Sequence, residues 1–409
     1  MRSCPNPMAR VILAAAMLPA LLAGCQTEAE SRAASHIPYA GMTTGTPQAR
    51  WAYVEQLSEQ YREEEPTDPA GSRKLLLEFT GAVIETTGSI LKDPAAGPEV
   101  REQAAGALLT AYGRRKQVDP ESIPKLVEAS RQIELENPKS RIGVIAAFER
   151  ARVFRDQALA STEANVTEKV RLWGEEVLHL GQLTPSPSVV PKTLDELGQK
   201  TEFFGHTDLA EKLYRTLVDR FPEDENTPFA KGALYRMGLK GKPLTDLAGP
   251  GRNGKTVSIQ DYKGKVVLVD FWATECKPCL EEMGKVEMLR QIYEPKGMTL
   301  LTVALDPNPQ AVEKFLGSAK LDWTVIFSNA DMSNMESPLT LRYGIKAIPF
   351  KMLIDQEGNL VASGYRLEEV VPALEKLLGP ANAPETKAPA EPAAVSPEPA
   401  AAPKTDKKN

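Results

Sequence analysis

Apolar and polar positions along the chain change rhythm once. From about 50 to 238 apolar residues recur at three- and four-residue spacing, as in EVREQAAGALLTAYGRR (99–115) and RIGVIAAFERARVFRD (141–156). That period predicts amphipathic helices. Prolines at 120, 124, 138, 185, 187, 191, 222 and 228 separate them. The stretch 71–91, GSRKLLLEFTGAVIETTGSIL, is rich enough in Thr and β-branched residues to admit a strand; its helical neighbours favour helix. From about 240 to 379 the period shortens. KVVLVDF (265–271), GMTLLTVAL (297–305), WTVIF (323–327), FKMLID (350–355) and NLVASG (359–364) read as strands, with helical patterns at 277–294, 309–319 and 367–378. The first two strands are nearly continuous apolar runs, as strands covered on both faces are. Asp355-Gln356-Glu357-Gly358-Asn359 reads as a hairpin turn. The expectation is a multidomain protein, with an all-α domain over 50–238 followed by an α/β domain over 239–379.

The two ends fall outside this pattern. Arg2 and Arg10 precede and open a 13-residue apolar run, 11–23, too short to span a bilayer and suited to a signal peptide. The run ends in Leu22-Ala23-Gly24-Cys25, which resembles the lipobox of bacterial lipoproteins. The resemblance implies cleavage after residue 24 and acylation of Cys25, several chains together giving a stable bilayer anchor. Gln26, in place of the Asp that retains such proteins at the inner membrane, favours the outer membrane. Residues 25–49 are small and polar and read as a flexible tether reaching roughly 25–30 Å. The Pro/Ala-rich tail, 380–409, lacks the apolar side chains needed to offset ordering entropy and reads as disordered.

The net charge is −6, and loss of the two signal-peptide arginines makes the mature chain more acidic. With no basic tract outside the tail lysines, nucleic acid is not an expected partner. Four cysteines are present, Cys4, Cys25, Cys276 and Cys279. The lipobox resemblance implies that the first leaves with the signal peptide and the second takes lipid, so that the mature protein keeps one thiol pair. A single Cys-x-x-Cys in an exported protein is not a disulfide framework.

Within the helical region, Leu194, Leu197, Gly198, Ala210, Tyr214, Leu217 and Pro222 resemble the tetratricopeptide repeat. Leu194 replaces that family's aromatic residue and Thr201 its tyrosine. The resemblance implies a helical-repeat domain with a groove for a partner; a spacer that packs only on itself is the alternative.

In the C-terminal region, GKTVSIQDYKGKVVLVDFWATECKPC, the loop Tyr343-Gly344-Ile345-Lys346-Ala347-Ile348-Pro349 and the hairpin Ile354-Asp355 to Gly358 resemble the thioredoxin fold, and within it the membrane-tethered TlpA/ResA-like thiol–disulfide oxidoreductases. About a third of the chain is covered. The resemblance implies that Pro349 is cis and faces the cysteines with Ile348, that Asp270 relays a proton to Cys279, and that Glu282 lies beside the site. It also implies a protein disulfide as substrate, a membrane thiol electron donor, a periplasmic setting and a role in cytochrome c maturation. Two positions depart from the family: Glu275 stands where Trp is usual before the first cysteine, and Gly284 replaces a proline.

Physical chemistry supplies its own expectations. Cys276 at a helix N-terminus meets unpaired N–H groups that favour the thiolate nucleophile. Lys277 adds positive charge and Glu275 opposes it. Cys279, one turn on, can attack a mixed disulfide on Cys276. Pro278 is tolerated in the first turn, and Trp272 is expected to pack beside the sulfurs. Glu282, three residues after Cys279, shares its helix face; an ordinary solvated residue is the alternative. A zinc site needs ligands that the scattered His36, His179 and His206 do not supply. An inert structural disulfide, a redox-passive scaffold lipoprotein and a thiol peroxidase are the competing readings. The peroxidase pattern needs a hydroxyl three residues before its cysteine, whereas Thr274 lies two before Cys276. No cofactor is expected, because the electrons travel through the two sulfurs. Opposing charges leave the direction of transfer open, and the family resemblance favours reduction.

Overall fold

The apolar runs near 265 and 297 form the centre of a five-stranded sheet. The computed structural model describes residues 37–381, apart from 65, 67, 139, 163, 184–186 and 329–335. The expected signal peptide, Cys25, the first part of the tether and nearly all of the tail lie outside the described residues. The chain divides into two compact units, one ending at Ile123 and one beginning at Pro124.

The first unit is helical: α1 (Pro47–Glu63), α2 (Pro69–Leu91) and α3 (Pro98–Arg115). Each begins with Pro at a first-turn position, where the missing N–H is harmless. Thr46 and Asp68 cap α1 and α2 with their side chains. The ambiguous stretch 71–91 lies within α2. Its buried Thr80, Thr86 and Thr87 hydroxyls donate to carbonyls one turn back, so the helix satisfies them internally. Val54, Leu57, Phe79, Ala82, Val83 and Ala111 form a core, with Tyr61 stacked on Phe79 at 4.2 Å. Residues 37–46, the end of the expected tether, are folded onto this core. Ile37 and Tyr39 pack against it, and Gln60 exchanges hydrogen bonds with the Ile37 backbone. Apolar Ile37 and Tyr39 outweigh the polar composition of their neighbours, and α1 already begins at Pro47.

The second unit opens with α4 (Ser122–Glu136), which begins at its border, and continues with α5 (Arg141–Leu159), α6 (Val166–Gln182), α7 (Val190–Phe203), α8 (Thr207–Arg220) and α9 (Thr227–Gly238). Consecutive helices pack in repeat-like pairs around Trp173, Leu194, Leu197, Ala210, Leu213 and Tyr214. At Gly198 a Cβ would stand 2.4 Å from the Tyr214 ring, so only glycine allows α7 and α8 to approach this closely.

The α/β part is thioredoxin-like. A hairpin of β1 (Ala248–Pro250) and β2 (Thr256–Ser258) precedes the sheet, which contains β3 (Val266–Trp272), β4 (Met298–Ala304), β5 (Thr324–Phe327), β6 (Phe350–Ile354) and β7 (Leu360–Gly364) in the order β5-β4-β3-β6-β7. β3 runs parallel to β4 and antiparallel to β6, and every residue of it is buried. Helices α10 (Lys277–Tyr293), α11 (Pro309–Ala319), α12 (Pro338–Tyr343) and α13 (Leu367–Leu378) complete the module. All five strands and three helices fall where the hydrophobic pattern put them. The β1–β2 hairpin and α12 were not foreseen. The β6–β7 turn closes as its sequence suggests, with Asn359 N–H donating to Asp355 Oδ1 and Gly358 at φ +89°.

Candidate active site

Strand β3 ends at Trp272 and the chain turns into α10 within four residues, delivering Cys276 to the helix N-cap. Its Sγ accepts the Cys279 N–H at 3.2 Å. The two cysteines are joined, with S–S 2.07 Å and Cα–Cα 5.2 Å. Cys276 is half-buried and Cys279 buried, so the first sulfur is the one a partner can reach. Helix N–H groups directed at Cys276 favour its thiolate once the pair is reduced.

The turn before the cysteines is fixed by a residue that sequence reasoning missed. Buried Asp306, two residues after β4, accepts the Thr274 N–H on both carboxylate oxygens at 3.1 Å, and the Thr274 hydroxyl also donates to it. A carboxylate just past a strand's C-terminal end was the available signal. Trp272 lies in one buried cluster with Cys279, edge-on to Trp323 at 6.0 Å. Glu275, Lys277 and Pro278 are exposed. Lys277, expected to add charge beside Cys276, extends toward Glu281 one turn on, at 3.9 Å; such an exposed pair is worth little. Gly284 leaves α10 unbroken.

Opposite the disulfide, the Ile348–Pro349 peptide is cis, and the Ile348 carbonyl oxygen stands 3.7 Å from Cys276 Sγ. Ile348 also packs against both faces of the sheet core.

Asp270 is buried in the middle of β3, directly across from Lys351 of β6. Lys351 is fully buried; its Nζ bonds to Glu282 Oε2 and lies 3.8 Å from Asp270 Oδ1. Burial drives the Asp270 carboxyl up to about 7, Lys351 opposing the rise and Glu282 adding to it. The geometry thus brings Asp270 and Glu282 together, and it does so through a lysine the sequence reading passed over. Glu282 is no free solvated residue: it is bound inward. A lysine within a strand pattern normally marks a solvent-facing position, because burial is rare for it, so sequence carried no signal for Lys351. Among the described residues no group of three or more His, Cys, Asp or Glu is placed to hold a metal, and no helix is long and apolar enough to cross a membrane.

Comparison with known proteins points the same way. The family model described as Redoxin matches residues 239–378. The chain is 30% identical over 118 residues to the thiol-disulfide oxidoreductase ResA of Bacillus thuringiensis subsp. konkukian, covering 29% of this chain and 62% of that one. It is 26% identical over 156 residues to the ResA of Halalkalibacterium halodurans, covering 37% and 82%. The first curated relatives are therefore matched over less than two thirds of their length. A solved structure, a putative thiol:disulfide interchange protein DsbE from Chlorobium tepidum, is 31% identical and covers 32% of this chain and 89% of its own, at a TM-score of 0.28. The C-terminal region is a thioredoxin-like redox module related in sequence to thiol–disulfide oxidoreductases.

Proposed function

We propose that the chain is a thiol–disulfide oxidoreductase of the bacterial cell envelope that reduces protein disulfides through Cys276 and Cys279. One observation carries this reading: the pair forms a disulfide at a helix N-terminus, with its more accessible sulfur facing the cis Pro349 loop. In the reducing direction the Cys276 thiolate attacks a substrate disulfide, forming a mixed disulfide and releasing one substrate thiolate. Cys279 then loses its proton to Asp270 and attacks Cys276 Sγ, closing the intramolecular bond and releasing the second substrate thiolate. Two electrons pass to the substrate, whose two sulfurs take up two protons. Asp270, held near 7, is suited to exchange that proton around neutral pH. The Ile348 backbone beside Pro349 offers an edge with which an extended substrate segment can pair.

The narrower elements belong to the same proposal: acylated Cys25 anchors the chain to the membrane facing the periplasm, and a membrane thiol donor restores the dithiol. Cytochrome c maturation is the proposed process, and slowed haem attachment in a deletion strain is its expected sign.

The deciding measurement is the reduction potential of the pair, by thiol tagging in defined redox buffers. A value near about −250 mV or lower is the expected result for a reductant; one near about −120 mV reverses the direction. Cys276→Ser abolishes exchange on this reading, and unchanged exchange by that variant favours the redox-passive scaffold.

A further inference from the structure

The loop that carries Pro349 is held at three points by helices lying outside the thioredoxin-like module. At its start, α12 packs on α9 backbone to backbone. A Cβ on Gly232 would lie 2.0 Å from the Leu341 carbonyl oxygen, and one on Gly344 would lie 2.0 Å from Ala233 N. In its middle, Lys346 Nζ donates to Asp195 Oδ2 of α7 and to Oδ1 of Asn226, the N-cap of α9, each at 2.7 Å, and stands 4.7 Å from the Phe229 ring centre. Buried Arg236 of α9 reaches both ends: its Nε donates to the Tyr343 carbonyl at 2.9 Å, its guanidinium lies over the Phe350 ring just past Pro349, and it pairs with Glu202 at 2.7 Å.

Resting on the oxidoreductase reading, we infer that α7 and α9 are part of the disulfide-binding machinery: Asp195 and Asn226 hold Lys346 and thereby position the 343–349 loop for a polypeptide substrate. A spacer needs no charged side chain buried against a loop three residues from Pro349. Asp195 is 3% exposed; burial pushes its carboxyl up, and Lys346, with Gln199 donating to the same oxygen, opposes the rise. Holding the loop beforehand moves its ordering entropy from binding to folding. The benefit falls on substrates that pair a backbone segment with Ile348. A small disulfide has no such segment.

The test compares two substrates in the full chain: insulin, and the small aromatic disulfide dithiobis(nitrobenzoate). The readout is the ratio of the two exchange rates. Lys346→Met and Asp195→Asn are expected to lower the insulin-to-small-disulfide ratio about tenfold, the worth of one charge-assisted hydrogen bond. Lys346→Arg, which keeps the charge but not the geometry of the ammonium, is expected to hold the ratio above that of Lys346→Met. Loss of folded protein lowers both rates together and leaves the ratio fixed, so an unchanged ratio in both neutralising variants overturns the inference. A native chain that exchanges with neither disulfide overturns the oxidoreductase reading itself, and this inference with it.

Discussion

Asp270 was legible because a lone carboxylate inside VVLVDFW has no ordinary place in a buried strand. Its partner was not, because Lys351 sits in FKMLID where alternation permits an outward lysine, and only the pairing of β3 with β6 turns it inward. The two residues make separable predictions. Asp270 titrates near 7 in the folded chain and near 3.9 when unfolded. Between those values the folded state binds more protons, so this group's contribution to stability falls as pH rises through about 4 to 7. Asp270→Asn removes that penalty: it stabilises by roughly 1–4 kcal/mol above pH 7 and not at all below pH 4, as denaturant melts at the two pH values would read. On the proposed function the same variant slows disulfide exchange, since it removes the proposed proton acceptor for Cys279. Lys351→Met acts oppositely. It removes the charge that restrains Asp270, so the acid limb of the exchange rate moves to higher pH. A limb that stays in place rules out a proton-managing role for this lysine.

Elements were readable in proportion to their length. The seven-residue strands β3 and β4 gave near-continuous apolar runs. The three-residue β1 and β2 and the six-residue α12 are too short for either period to show. In α2 local composition was ambiguous, and hydroxyls bonding back along the helix resolved it. The α7–α8 pair was legible only in part: the repeat spacing singled out Gly198 and Tyr214, and the structure shows that these two meet. Gly198→Ala tests that contact. Helix propensity alone would stabilise by about 1 kcal/mol, but a methyl at 2.4 Å from the Tyr214 ring forces the helices apart. Overpacking of about 1–3 kcal/mol should therefore win. A lower denaturation midpoint for the helical part checks the sign, and a raised midpoint shows that the pair yields freely.

At the scale of the molecule, sequence and structure draw their lines in different places. Hydrophobic rhythm changes near 238, where helices give way to strands, and a linear reading places a border there. Compactness places it at 123, because packing follows contacts that rhythm does not record. Arg236 is one of them, unremarkable in sequence yet buried between Glu202, Tyr343 and Phe350. Tyr365 is another, buried near Phe203 and Phe350 with rings 5.7 and 5.0 Å away. Two truncations distinguish the borders. A chain beginning at Pro124 keeps all these contacts and should fold as the second unit does in the whole protein. A chain beginning at 239 loses α7 and α9, uncovers Phe350 and Tyr365 and frees the 340–349 backbone. Exposing two large aromatic rings alone costs several kcal/mol at about 25 cal/mol per Å². Hydrogen exchange should therefore be native-like at 340–349 in the longer chain and markedly faster in the shorter one. Equal protection in both would show that the thioredoxin-like module orders its own 340–349 segment and that the preceding helices only rest upon it.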